Sequence, residues 1–489
     1  MSRDFDEFLS SVTSYTEELE DSESKQLQKA YEFGRTAHKG QLRANGQEYF
    51  TEHCVPVALH LAEIGMGVDM ITAGLLHDTI EDTDTTNEDI QREFNPTVAE
   101  LVEGVSKLGK IKYRGYERHV ESLRKFFVAV ADDVRVVIVK LCDRWHNLET
   151  LEFLPPEKQE RIAKESMLVH GHLASRLAMG KLTSTINDLA FPYADPDNYK
   201  KTKDIRDENL GRSDKVIESM YRDCLSELTT MMGYNPQIDR RQKGLYSLFK
   251  KLERKDWNID EVYDLIALRI IVNTEAECYQ ALGAIHGKWR PVLGRVKDYI
   301  AVPKPNGYQS LHTAVFSGSG PIVEIQIRTQ AMHRFAEFGV AAHHSYKKSF
   351  QEPTKSKHFD WVQQLGELRT DTRTPDEYLQ ELRVDFFHDR IFALTPEGDV
   401  IDLPAGATAL DFAFAVHSEL GLSAQGAKIN GAYKALKTTL ASEDIVEVVT
   451  AKNVQPKRDW LEWTVTNLAH SKIRNKLGLQ RPFRAAKNS

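Results

Sequence analysis

Apolar residues in the first part of the chain recur at helical spacing. Val98, Leu101, Val102, Val105 and Leu108 follow three- and four-residue steps, and Gly109 ends the run. Val134, Val137, Ile138, Leu141, Trp145 and Leu148 form a second stripe. Residues up to about 190 therefore read as helix after helix. Thr86 with Asp89 makes a variant capping box for one of them. A lysine-rich stretch from Tyr199 to Thr202 follows, then an amphipathic connecting helix from Arg206 to Gly233.

The period then changes. Val262 to Val272 is β-rich and predicts a buried strand with Asp264 at its entrance. Val323 to Arg328 alternates strictly, putting Glu324, Gln326 and Arg328 on one face and Val323, Ile325 and Ile327 on the other. Such a strand is either an exposed sheet face or the floor of a polar cleft. Residues 359–383 read as a helical linker. A hairpin over 389–404, a short helix from Ala409 to Leu420 and a strand from Ile445 to Thr450 predict a small β-grasp-like module.

Composition narrows the class. The 489 residues suggest two to four domains, and 41% hydrophobic with 28% charged residues describes a soluble globular chain. The net charge of −8 argues against wholesale coating of nucleic acid. Cys54, Cys142, Cys224 and Cys278 lie far apart and read as reduced cytosolic thiols. No apolar run is long enough to span a bilayer. The ending, from Arg481 to Ser489, reads as that of a truncated chain.

The stretch Leu76 to Asp82 carries the first candidate chemistry. On a helix, His77 and Glu81 share a face, with Asp78 and Asp82 beside them. Taken alone, it is either a solvated helix end or a divalent-metal site. His53, just before a helix that Pro56 can start, and Asp143, on the stripe Lys140, Asp143, Asn147, extend it to an ordered set. Two imidazoles and two carboxylates suit a borderline divalent ion that polarises a phosphorus centre and generates hydroxide. The set is that of the HD metal-dependent phosphohydrolases.

In the second block no Walker-type phosphate loop occurs. The stretch Gly294 to His312 instead supplies lysines, a tyrosine ring, Asn, Gln and His for a nucleotide. Asp264 and Glu324, on adjacent strands, form a pair able to hold Mg²⁺ and deprotonate a hydroxyl, the parts of a phosphoryl or pyrophosphoryl transferase. The basic run Arg240 to Lys251 reads, by itself, as a solvated helix face.

Together the blocks resemble the long RelA/SpoT homologues, the bifunctional (p)ppGpp synthetase/hydrolases. The resemblance rests on the HD set, on Tyr263 to Arg269, on Asn306 to His312 and on Glu324 to Thr329. It implies a multidomain chain: an all-α HD hydrolase domain (1–195), an α/β nucleotidyltransferase-like synthetase domain with a mixed sheet (196–345), a helical linker (346–385), a β-grasp TGS domain (386–451) and the start of a further helical region (452–489). It implies Mn²⁺ on His53, His77, Asp78 and Asp143, with Glu81 and Asp82 acting on the attacking water, and Arg43, Asn147 and Thr150 lining the hydrolase nucleotide pocket. For synthesis it implies Asp264 as Mg²⁺ ligand and Glu324 as the activator of the hydroxyl. Arg241 and Arg269 would sandwich adenine, and Lys243, Ser247 and Lys251 would contact ATP phosphates. Tyr308 would stack on the guanine of GDP or GTP, helped by Lys297, Lys304, Asn306 and His312. His417 would read the end of uncharged tRNA on the ribosome. Ala44 departs from the family's usual basic residue, whereas the Glu81-Asp82 pair is intact and Arg295 to Asp298 has the basic form of bifunctional members. A plain HD phosphohydrolase with a degenerate second block and a non-catalytic RNA-binding regulator are the alternatives.

Overall fold

The computed structural model describes residues 3–16, 19–109, 133–304, 306–318, 321–344, 390–451 and 454–479. The helical linker expected over 346–385 lies outside them. Residues 1–371 and 372–489 form two compact units. The expected hydrolase and synthetase domains thus share the first unit.

Its first part is all helix. The stripes become the helices Pro96–Gly109 and Val134–Glu149, and their apolar residues Val98, Leu101, Val105, Val137, Ile138 and Leu141 are buried. Thr86 and Asp89 form the reciprocal cap at the start of Asn87–Glu93. Pro56 stands in the first turn of Val55–Glu63. One expectation fails at His77. The helix Val68–Leu76 stops there, with His77 as its C-cap, and Asp78 is the N-cap of a new helix, Thr79–Asp82. Thr79 Oγ1 donates to the Leu76 carbonyl at 2.6 Å, which ties the break together. His77 and Glu81 are therefore not one turn apart on a continuous helix.

The helix Gly180–Ala194 packs back against the synthetase part. It is followed by one long helix, Pro196–Met232, closed by Gly233 in the left-handed conformation (φ 75°). This replaces the expected lysine-rich connection and shorter helix, because Asp195 caps Asn198 and Pro196 opens the first turn.

The part expected to be the synthetase holds a five-stranded mixed sheet of β1 (Gln237–Gln242), β2 (Ile266–Val272), β3 (Lys297–Asp298), β4 (Leu311–Phe316) and β5 (Ile322–Thr329), in the order β1-β2-β5-β4-β3. The basic run Arg240–Lys251 is not one helix face. It divides into the end of β1 and the amphipathic helix Leu245–Glu253. The strand expected from Val262 starts at Ile266, so Tyr263 and Asp264 sit in the turn before it. β2 and β5 run parallel, with Ala267 opposite Glu324 and Arg269 opposite Gln326. Val323, Ile325 and Ile327 enter the core beneath the helix Glu275–Lys288.

In the second unit the hairpin Arg390–Leu394/Val400–Pro404 turns at Gly398 (φ 92°). The expected helix is broken at His417 into Ala409–Val416 and Ser418–Leu422. The first of these packs with the strands Ala424–Ile429 and Val446–Thr450. A second cluster joins Leu410 and Phe414 to Trp460, Ala469 and Ile473, so the helices Trp460–Trp463 and Asn467–Lys476 share a core with it. The buried Asp411 carboxylate caps its own helix through Thr408 and also accepts from the Val465 and Thr466 amides and the Thr466 hydroxyl at 2.8–3.1 Å. Among the described residues no helix is long and apolar enough to cross a membrane.

Candidate functional site

Two polar centres lie in the first unit. In the helical part, the turn Phe50–Cys54, the break at His77-Asp78 and the helix Val134–Glu149 bring four ligand atoms together. His53 Nε2 is 3.3 Å from both Asp78 Oδ2 and Asp143 Oδ1. His77 Nε2 is 3.0 Å from Asp78 Oδ2 and 4.0 Å from Asp143 Oδ1. Ligands at right angles around a divalent ion about 2.1 Å away stand about 3 Å apart, so these spacings fit one ion. All four side chains are buried. His77 Nδ1 faces the Gly74 carbonyl at 2.9 Å, which leaves Nε2, buried and 3.0 Å from Asp78 Oδ2, as the nitrogen turned to the cluster. Against burial, the Asp78 and Asp143 carboxylates raise this imidazole to about 9, so a metal bound there would replace its proton.

Charge points the same way. Burial alone would raise Asp78 and Asp143. For Asp78 the His77 and His53 rings outweigh it, and for Asp143 Lys140 and His53 do, so both stay well below the usual carboxylate range. Two ionised carboxylates in a closed pocket demand positive charge. Outer contacts hold the ligands. Tyr49 donates to Asp78 Oδ2 at 2.7 Å, and burial beside Asp78 keeps that phenol protonated. Asn147 donates to Asp143 Oδ1 at 2.5 Å, and Lys140 pairs with Oδ2 at 2.5 Å. His53 Nδ1 meets His146 Nδ1 at 2.8 Å, and burial pushes His146 down to about 3, leaving a neutral acceptor.

Glu81 and Asp82 follow the cluster in the chain, Glu81 half-buried and Asp82 exposed. Burial raises both, and Asp78 adds to the rise. Gln41 Nε2 donates to the Asp82 carbonyl at 2.7 Å and fixes that turn. Arg43 donates to Thr150 Oγ1 at 2.6 Å, which brings those two expected pocket residues together near Asn147.

The second centre is a cavity of about 480 Å³. Arg241, Lys243, Ser247, Asp264, Arg269, Asn306 and Tyr308 line it, as do Gln326 and Arg328. The polar face of β5 is therefore a cleft floor. Both oxygens of Asp264 carry an ammonium, Lys243 and Lys251, each at 2.6 Å. Burial opposes this, but the two lysines hold Asp264 below its ordinary value. Glu324 is drawn down to about 2 against burial by His312 at 3.4 Å and by Gln326, which donates at 2.9 Å. Arg269 is clamped between Asp239 (3.0 Å) and Glu337 (2.8 Å), and Arg241 donates to Gln326 at 3.1 Å. Tyr308 and His312 meet at 2.8 Å, with the Lys304 ammonium 5.0 Å from the Tyr308 ring centre. Lys297 lies opposite His312 across β3 and β4. His417 is elsewhere, exposed in the second unit, where its Nδ1 accepts from the Glu419 amide at 3.3 Å.

Several participants have no motif to announce them. Tyr49 and His146 support the first cluster. In the cavity, Lys181 and Ser184 come from the helix Gly180–Ala194, and Glu337 from Gln330–Phe338. The seam between these two helices is tight. Val340 N donates to the Leu177 carbonyl at 3.1 Å. Gly339 (φ 55°) and Gly180 leave no room for a Cβ against the Leu177 and Ala336 carbonyls.

Three family models match the chain in order: an HD domain over residues 30–180, a region found in RelA/SpoT proteins over 240–351, and a TGS domain over 391–450. An HD hydrolase implies a divalent metal, and the four-atom cluster fits one. The chain is 41% identical over 457 residues to a guanosine-3′,5′-bis(diphosphate) 3′-pyrophosphohydrolase of Aquifex aeolicus, covering 94% of this chain and 65% of that protein. It is 40% identical to the bifunctional (p)ppGpp synthase/hydrolase SpoT of Escherichia coli (94% of this chain, 66% of that protein). A GTP pyrophosphokinase of Myxococcus xanthus is 40% identical (92% and 60%). The chain thus spans 60–66% of the length of these relatives.

Proposed function

We infer that this chain, a homologue of the long RelA/SpoT proteins, is a bifunctional alarmone enzyme. It moves pyrophosphate from ATP to the 3′-hydroxyl of GDP or GTP, and it hydrolyses (p)ppGpp to GDP or GTP plus pyrophosphate. The observation that carries this reading is the pair of centres of opposite charge demand in one compact unit. One gathers two imidazoles and two carboxylates, and the other gathers arginines and lysines in a cavity lined by Asp264, with Glu324 held by His312 and by Gln326 of that lining.

In hydrolysis, His53, His77, Asp78 and Asp143 would hold Mn²⁺. The ion would polarise the phosphoryl group and lower the pKa of a bound water. Tyr49, Asn147 and Lys140 keep the two carboxylates aimed inward. Glu81 and Asp82, whose proton affinity burial has raised, take the proton of the attacking water. Water oxygen attaches to the phosphorus on O3′, and the O3′–P bond breaks to release pyrophosphate. Arg43, Asn147 and Thr150 bind the nucleotide.

In synthesis, Glu324 is ionised at neutral pH and accepts the 3′-hydroxyl proton. The new O3′–Pβ bond forms as the bond to AMP breaks. Asp264 holds Mg²⁺, which would neutralise the triphosphate. Lys243 and Lys251, now paired with Asp264, turn to the phosphates with Ser247. Arg269, whose planar guanidinium is fixed in place by Asp239 and Glu337, and Arg241 clasp adenine, while Tyr308 with Lys297, Lys304, Asn306 and His312 takes the guanine nucleotide. Ribosome and uncharged tRNA would meet the TGS region at His417.

The test is a double dissociation. The wild-type chain with ATP, GDP and Mg²⁺ yields AMP and ppGpp, and with ppGpp and Mn²⁺ yields GDP and pyrophosphate. Glu324→Ala abolishes only the first reaction and Asp78→Ala only the second. Full activity of either variant in its own reaction would sink the assignment.

A further inference from the structure

Lys181 belongs to the helical hydrolase part, yet it lines the synthetase cavity. It stands in the first turn of a 15-residue helix, Gly180–Ala194, whose opening has no side-chain cap. Its Nζ pairs with Glu63 Oε1 at 2.6 Å, and its side chain is 35% exposed. Glu63 has a second cation within reach, because His60 Nδ1 is 3.7 Å from Oε2. His60 is itself fixed. It stacks on Trp145 with ring centres 3.8 Å apart and bonds Glu149 at 3.1 Å. Glu63 would therefore keep a partner if Lys181 left.

We propose that Lys181 is a phosphate-binding residue of the synthetase cavity, supplied by the hydrolase part, and that it binds by exchanging Glu63 for a phosphate oxygen of the donor nucleotide. A half-exposed ion pair is a weak hold. A triphosphate offers more charge, and the amides of a helix N-terminus add to its attraction. The rest of the lining is already cationic. Arg241, Lys243, Arg269 and Arg328 line the same cavity, with Asp264 and Glu337 as the acids among its lining residues. Arg328 is almost wholly buried, its Nε has no partner, and its terminal nitrogen shares Glu337 with Arg269. The cavity thus carries more positive charge than its own carboxylates balance, and the carboxylate that Lys181 holds, Glu63, lies outside it. The inference rests on the reading that this cavity takes ATP.

The experiment uses the full chain and α,β-methylene-ATP with Mg²⁺, which cannot transfer pyrophosphate, and reads Kd by calorimetry. Lys181→Met raises Kd about tenfold and flattens its dependence on salt, and Lys181→Arg restores most of the affinity. Glu63→Gln, which frees Lys181, lowers Kd several-fold. In the Lys181→Met/Glu63→Gln chain that gain disappears. A merely structural ion pair predicts instead that both single changes weaken binding. An unchanged Kd for Lys181→Met, or weaker binding by Glu63→Gln, overturns the proposal while the ATP reading stands. Absence of binding by the wild-type chain overturns that reading and the proposal with it.

Discussion

At the hydrolase centre, four ligand atoms converge in a closed, acid-rich pocket whose outer contacts are already made. In the synthetase cavity the acids are masked. Asp264 is covered by two lysines and Glu324 by His312 and Gln326, while arginines ring an open space of about 480 Å³. The first site is arranged to receive a small cation and needs little rearrangement. The second is arranged to receive a large anion, and its ammonium groups must leave a carboxylate before they can hold phosphate. Ready geometry on one side and internal pairing on the other are what would let a single chain carry both proposed chemistries.

The contrast can be broken most sharply through Lys251. Lys251→Ala strips one ammonium from Asp264 and one contact from the phosphates. It should cost synthesis about 10- to 100-fold in kcat/KM, equal to about 1.4–2.8 kcal/mol, and leave hydrolysis within about twofold. Equal losses in both reactions would refute the separation. Next comes the seam. Gly339→Ala puts a Cβ against the Leu177 carbonyl at a φ of 55°. It should lower unfolding free energy by about 3 kcal/mol, read by denaturant titration, with synthesis lost at lower denaturant than hydrolysis.

A smaller effect is expected from pH. Burial, then Arg328, brings His333 down to about 4, and its neutral ring accepts from Arg328 at 2.9 Å. Between pH 6.5 and 4 the unfolded chain binds a proton that the folded ring refuses. Stability from this group is therefore full above 6.5 and falls as pH drops. From pH 7 to 5 it should account for about 1–2 kcal/mol, and His333→Asn should remove that share of the slope. The smallest effect is Thr86→Ala, which deletes the cap of Asn87–Glu93 and removes no ligand of either centre. It should cost about 1 kcal/mol and change neither activity beyond its effect on folded protein.

What could be read beforehand follows from how local the signal is. His77, Asp78, Glu81 and Asp82 lie within six residues, and the alternation of Val323 to Arg328 states its own two faces. Helix periodicity did not reveal the break at His77, because a cap made by Thr79 onto the preceding turn has no period. Tyr49, His146, Lys181 and Glu337 were invisible as site residues. Each sits on an ordinary helix or turn and gains its role only when packing brings a distant segment alongside. Packing likewise sets how residues 177–188, ahead of the expected boundary at 195, back onto the helices Leu245–Glu253 and Gln330–Phe338.

Asp411 shows where the second unit can be cut. Its buried carboxylate satisfies the start of one helix and, 54 and 55 residues later, the start of another. A fragment ending with the TGS strands at 450 would strand that charge, with the Val465 and Thr466 donors gone and the Trp460 side of the core open to solvent. For expression, transplantation or dissection, the separable piece is not the conventional module but the module together with its trailing helices.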